Sequence, residues 1–153
     1  MLLHKLRERV GARLSGDSEA GFTLVELLVV MLILGILAAI AIPAFFNQKE
    51  KANDAQAKAY AHSAQVAMET FATDNGGSYA AATVNGLRAI EPTLSGANVG
   101  LSNLSGTGYQ IDVTAPVTGT VFTVNRNGAN GALTYTCAPV NTGGCPANGN
   151  WGQ

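Results

Sequence analysis

Between Leu27 and Phe46 lie 20 consecutive residues without a single Asp, Glu, Lys, Arg or His. As a helix, a run of that length crosses a hydrocarbon core of about 30 Å. A chain of 153 residues has too little other structure to wrap such a helix on every side. A lipid or protein neighbour is therefore expected around it, rather than the core of a soluble domain. Lys5, Arg7, Arg9 and Arg13 precede the run. The positive-inside rule then predicts one pass through the cytoplasmic membrane, with the N-terminus inside and everything after Phe46 outside. The basic segment closes in a polar, small-residue stretch, Ser15 to Gly21, and the apolar block begins only afterwards. A secretory signal has the opposite order, with its cleavage site after the hydrophobic region, so here the apolar helix is expected to outlast processing.

Past Phe46 the chain turns polar at Asn47-Gln48-Lys49-Glu50-Lys51 and then takes up a helical period. Ala57, Tyr60, Ala64, Met68 and Phe71 fall on one apolar stripe. Asp54, Lys58, His62, Gln65 and Glu69 fall on a second, polar stripe that reads as a solvated face, with His62 solvated rather than a ligand. Asp74-Asn75-Gly76-Gly77 is the stop signal, since glycine takes the left-handed cap conformation without a steric penalty. One helix over 22–74 would be about 80 Å long at 1.5 Å per residue. Residues 78–108, rich in Gly, Ser, Asn and Ala, read as a long connecting loop with room for short elements.

Three alternating segments follow, Tyr109 to Val113, Thr120 to Val124 and Ala132 to Cys137, separated by Pro116 to Gly119 and by Asn127-Gly128 with Asn130-Gly131. They predict an antiparallel meander whose one apolar face needs a cover, and the amphipathic half of the long helix supplies it. The expected fold is α+β: a long N-terminal helix packed on a small antiparallel sheet of about three to four strands. Cys137 and Cys145 are the only cysteines, enclosed in a Gly, Asn, Pro and Thr-rich segment. Outside the cytoplasm they read as a disulfide closing a short ring, contributing roughly 2–3 kcal/mol on the loop-entropy model. A two-thiol zinc site is the rival, but zinc takes four ligands and His4 and His62 are remote in sequence. No cofactor or metal is expected.

The start of the apolar helix carries the chemistry. Gly21 lets an extended backbone approach an active site closely. Glu26 is the only ionisable residue between Gly21 and Gln48, and a carboxylate beside an apolar phase is costly unless paired. Gly35 and Pro43 mark the weakest stretch of the helix: proline removes an amide donor and crowds the carbonyl of Ala39, and glycine lowers helix propensity. That stretch reads either as a plain bend or as a segment that unwinds.

The run Gly21-Phe22-Thr23-Leu24-Val25-Glu26-Leu27, continuing through Gly35 to Pro43, resembles the processing site and helix of the type IV pilin and pseudopilin superfamily. The likeness is specific over these residues and only architectural beyond Asp74. It implies that a membrane prepilin peptidase cuts between Gly21 and Phe22 and methylates the new amine, so that 1–21 is a leader. The parts left would be 22–46, the membrane and filament-core half of the helix, 47–74, its amphipathic half, and 75–153, the head with its disulfide-closed end. It also implies that Glu26 pairs with the Phe22 amine of a neighbouring subunit during assembly; a cap on its own helix is the local alternative. In pilins with this Gly and Pro pair, the resemblance implies unwinding between Gly35 and Pro43 in the filament.

These residues bear on three function classes. The leading reading is a structural subunit, held in the bilayer and then polymerised with identical or related copies by inner-membrane assembly machinery into an extracellular pilus. The alternative is the major pseudopilin of a type II secretion system; those usually carry an acidic C-terminal calcium loop and no disulfide, whereas here only Asp112 is acidic after Tyr109. An enzyme is disfavoured because no nucleophile with a recognisable base is visible. Charged residues are 12% of the chain and the net charge is −1, which gives no phosphate-tracking surface, so no specific nucleic acid is predicted as a partner.

Overall fold

The computed structural model describes residues 21–152, so the leader expected at 1–21 lies outside the described residues except for Gly21. The chain divides into two units, Met1–Ile42 and Pro43–Gln153. Helix α1 (Leu24–Asp74) begins in the first and ends in the second. In the first unit every described residue is exposed, because an unbroken apolar sequence has no other element there to pack against.

The second unit is an α+β head. After α1 come a short helix α2 (Val84–Ile90), a 3-10 turn (Pro92–Gly96) and four strands, β1 (Asn98–Ser102), β2 (Tyr109–Thr114), β3 (Val121–Arg126) and β4 (Leu133–Ala138). The strands form one antiparallel meander in the order β1-β2-β3-β4. Register sets the core face: Val99 lies opposite Val113, Val113 opposite Phe122, and Phe122 opposite Cys137. Strand side chains alternate between faces, so Tyr109, Ile111, Val113, Phe122 and Val124 all turn inward and are buried. Against them α1 presents Ala57, Ala61, Ala64, Ala67, Met68 and Ala72. Five alanines at helical spacing bring the helix backbone close to the sheet, and Met68 fills the remaining gap.

α1 ends where Gly76 and Gly77 take φ of +66° and +84°, and Gly77 N donates to Ala72 O at 2.7 Å. The stretch expected as a connecting loop holds α2, the 3-10 turn and β1. Thr83 caps α2 by accepting from Gly86 N at 3.0 Å. Glu91 accepts from Thr93 N to start the 3-10 turn. The C-terminal segment returns beside β4, with Cys137 N donating to Gly149 O and Trp151 N to Tyr135 O. Trp151 is buried edge-on against Phe122 and Tyr135, and its indole N–H donates to Thr136 O at 2.8 Å.

One sequence expectation is corrected by the head. The polar stripe of α1 is not a solvated face. Asp54 is fully buried, Lys58, Gln65 and Glu69 are half-buried, and His62, although exposed, packs edge-on against Trp151 at 4.9 Å between ring centres. The sheet and the C-terminal segment wrap further round the helix than the apolar stripe alone requires. Asp54, Lys58, Gln65 and Glu69 each meet a specific partner in the head, while His62 stays exposed, as expected of a solvated histidine.

Candidate processing and assembly site

Thr23 begins α1. Its hydroxyl accepts from Glu26 N at 3.2 Å, while Glu26 Oε2 accepts from Thr23 N at 3.0 Å and from Thr23 Oγ1 at 2.9 Å. This reciprocal arrangement is a capping box, and its Thr-x-x-Glu signature stands in the sequence at 23–26. Both oxygens of the box are therefore explained locally, and Glu26 Oε1 has no partner among the described residues. Just before it, Gly21 and Phe22 lie outside any helix or strand and are exposed, Phe22 at 80%.

From Leu24 onward the helix has an 18-residue stretch apolar enough to cross a membrane, none of it buried. Gly35 and Pro43 both lie inside α1, and among the described residues nothing outside the helix's own adjacent backbone comes within 4 Å of where a Gly35 side chain would begin. Helical assignment runs through both positions. The helix in this state thus tolerates the missing amide of Pro43 without ending.

Cys137 and Cys145 are joined as a disulfide. Three further positions went unrecognised in the sequence. Asp54 accepts from Thr118 Oγ1 at 2.5 Å and from Gly144 N at 2.7 Å, and Lys58 donates to Gly144 O at 2.6 Å. Glu69 accepts from Tyr79 Oη at 2.7 Å and Tyr109 Oη at 2.9 Å, with Arg126 at 3.7 Å. Burial and the hydrogen bond to Glu69 raise both tyrosines above the usual phenol range. Partners this distant in the chain leave no local signal.

A family model for the prokaryotic N-terminal methylation motif matches residues 17–42. The chain is 37% identical over 82 residues to the type II secretion system core protein G of Pectobacterium carotovorum subsp. carotovorum, covering 52% of this chain and 51% of that protein. It is 44% identical over 55 residues to the type IV wide pilus major component PilA4 of Thermus thermophilus, covering 36% and 42%. It is 31% identical over 121 residues to the type IV narrow pilus major component PilA5 of the same organism, covering 76% of this chain and 95% of that protein. The chain spans about half the length of the first two of these relatives. No solved structure matches it.

Proposed function

The chain belongs to the type IV pilin and pseudopilin superfamily, and we propose that within it this chain is a structural subunit of a type IV pilus. The observation that carries the proposal is the helix of the first unit: an apolar surface exposed on every side, with a single carboxylate at its start. Such a surface is stable only in lipid or against copies of itself. The two environments correspond to a membrane-held precursor and a filament core. The relative that this chain spans almost end to end is a pilus component, which favours a pilus over a secretion apparatus.

In this reading the peptide bond after Gly21 is cut by a membrane prepilin peptidase and Phe22 becomes a methylated ammonium. The Thr23 amide survives cleavage, so the capping box keeps Glu26 Oε2 occupied and fixes the direction of the carboxylate. Oε1 is then free to accept from the ammonium of a neighbouring copy. Desolvated by surrounding apolar helices, that pair is strong, and either charge left alone there is expensive. Mispaired registers are thereby penalised, which makes Glu26 and Phe22 a device for axial alignment. The contact is heterologous, with one copy offering its carboxylate and the next its amine, and it propagates without closing. Residues 22–46 form the core of the filament, 47–74 the bridge to the head, and 75–153 the displayed surface. After extraction by the inner-membrane assembly machinery, Gly35 and Pro43 supply the stretch where the helix unwinds in the filament. The chain has no catalytic role.

The similarity to core protein G supports a second reading, a type II secretion pseudopilin. Mass spectrometry of sheared surface fibres separates the two. The pilus reading expects a chain that starts at Phe22 with one added methyl group. Fibres lacking the chain, together with loss of secretion on its deletion, select the pseudopilin; fibres carrying a chain that still starts at Met1 defeat the processing step.

A further inference from the structure

We propose that Asp54 and Lys58 form a latch that positions the Cys137–Cys145 disulfide ring on α1 and controls its access to reductants. The two residues are one helical turn apart and grip both polar groups of a single ring residue: Asp54 accepts from Gly144 N at 2.7 Å and Lys58 donates to Gly144 O at 2.6 Å. Side chains four apart on a helix lie one above the other, which is the spacing this double grip requires. The ring is shaped to receive them. Gly143 has φ of +55°, and a side chain there would run into Asp54 Oδ2; one on Gly144 would begin 2.9 Å from Asp54 Cβ. Only glycine fits at either position. Thr118 Oγ1, from the β2–β3 turn, donates to the second carboxylate oxygen at 2.5 Å. The ammonium of Lys58 also stands 5.4 Å over the Phe122 ring.

The two sulfurs are held differently. Cys137 belongs to β4, where it pairs with Phe122 in the middle of the core. Cys145 sits on the loop, one residue beyond the gripped Gly144, so the latch fixes the position of the second sulfur against the first. Both cysteines are buried, at 6% and 3% exposure, and a thiol in solution reaches neither while the ring is docked. A groove of about 680 Å³ bordered by Asn47, Lys51, Lys58 and Cys145 opens beside the ring and gives it room to lift. A fully buried carboxylate contributes little to stability against an apolar replacement, and its better-attested use is to specify one arrangement. Here the arrangement specified is the docked ring. By linkage, whatever the closed ring contributes to the grip on Asp54 the grip returns to the closed ring.

The chemistry to be measured is ordinary exchange: a thiolate of dithiothreitol attacks one cysteine sulfur, the S–S bond breaks and the other sulfur leaves as a thiolate. The second thiol of the reagent then closes a cyclic disulfide, leaving two cysteine thiols on the protein. The full chain in detergent is treated with dithiothreitol at neutral pH and sampled by alkylation and mass counting. Asp54→Ala and Lys58→Met are expected to speed reduction about tenfold to a hundredfold, since each removes a charge-assisted hydrogen bond that the lifted ring lacks. Met68→Ala, which weakens the core without touching the ring, is the comparison. A latch requires the two latch variants to be reduced much faster than Met68→Ala at matched overall stability. Reduction at the wild-type rate, or acceleration only in proportion to lost stability, overturns the proposal. If Asp54→Ala does not fold, Lys58→Met decides, because its aliphatic stem still covers Phe122. The inference rests on the head alone and is independent of which filament the chain enters.

Discussion

Replacing Tyr109 with phenylalanine tests the polar knot that ties α1 to the sheet. Tyr109 is fully buried, and its hydroxyl donates to Glu69 Oε1 at 2.9 Å. A hydrogen bond to a charged group contributes about 1.5–3 kcal/mol net. Glu69 keeps Tyr79 on its other oxygen and Arg126 nearby, so no charge is orphaned by the change and the low end applies. A loss of about 1.5–2 kcal/mol is expected at neutral pH, or about 6–9 °C in Tm for a head of this size. Trp151, the only tryptophan, sits in the core and reports unfolding by fluorescence. The pH dependence gives a second and sharper measurement. The folded pKa of Tyr109 is raised by burial first and by Glu69 next, so the unfolded chain ionises before the folded one. The contribution is present in full below the ordinary phenol pKa of about 10 and is lost as pH climbs from there toward the folded value. Tyr79 is raised too, for the same two reasons, and shares the effect. Tyr109→Phe should therefore be less stable than wild type at pH 7 yet lose less on going above pH 10, and the double variant with Tyr79→Phe should lose least. An alkaline loss in Tyr109→Phe as steep as in wild type, or a neutral-pH cost below about 0.5 kcal/mol, refutes the reasoning.

Three further outcomes follow. Met68→Ala empties a fully buried position between α1 and the sheet and should cost about 2–5 kcal/mol in denaturant unfolding. Gly108→Ala places a side chain 2.8 Å from Gly128 N and 2.9 Å from Arg126 O; because both are backbone and cannot swing away, a loss of about 1–3 kcal/mol is expected by thermal melting. Glu26→Ala removes the capping box at the helix start and should leave the melting of the head unchanged while abolishing fibres seen by electron microscopy. Normal fibres from that variant would remove Glu26 from assembly.

What could be read from the sequence follows the range of the interactions involved. The apolar run and the Gly21 junction are legible because their signal is contiguous. β2, β3 and β4 are legible because alternation along a strand directly encodes which side faces the core. β1 and α2 hold only 5 and 7 residues, each with a glycine inside, too short for either period to establish itself. The polar stripe was read as wet for a different reason. A polar residue at helical spacing looks the same whether it meets water or a partner, and the partners of Asp54 stand 64 and 90 residues away, at Thr118 and Gly144. Gly143 and Gly144 read as loop filler, yet a side chain on either would run into Asp54.

The acidic side chains of α1 differ in how far they reach, and the difference separates folding from assembly. Asp54 and Glu69 both find partners across the head, so their bonds serve the packing of the head itself. Glu26 reaches only Thr23, three residues away, and does so with one oxygen. A carboxylate that satisfies itself locally adds nothing to the head. It still carries a full charge on a surface that is otherwise apolar, and in lipid or in a helix bundle that charge needs a counterpart. The first unit offers no other ionisable group from Gly21 onward, so the counterpart has to come from a terminus newly exposed by cleavage or from another molecule. On the proposed reading, processing after Gly21 supplies a cation on every copy, and the amine of a second copy completes the charge pattern of the N-terminal helix.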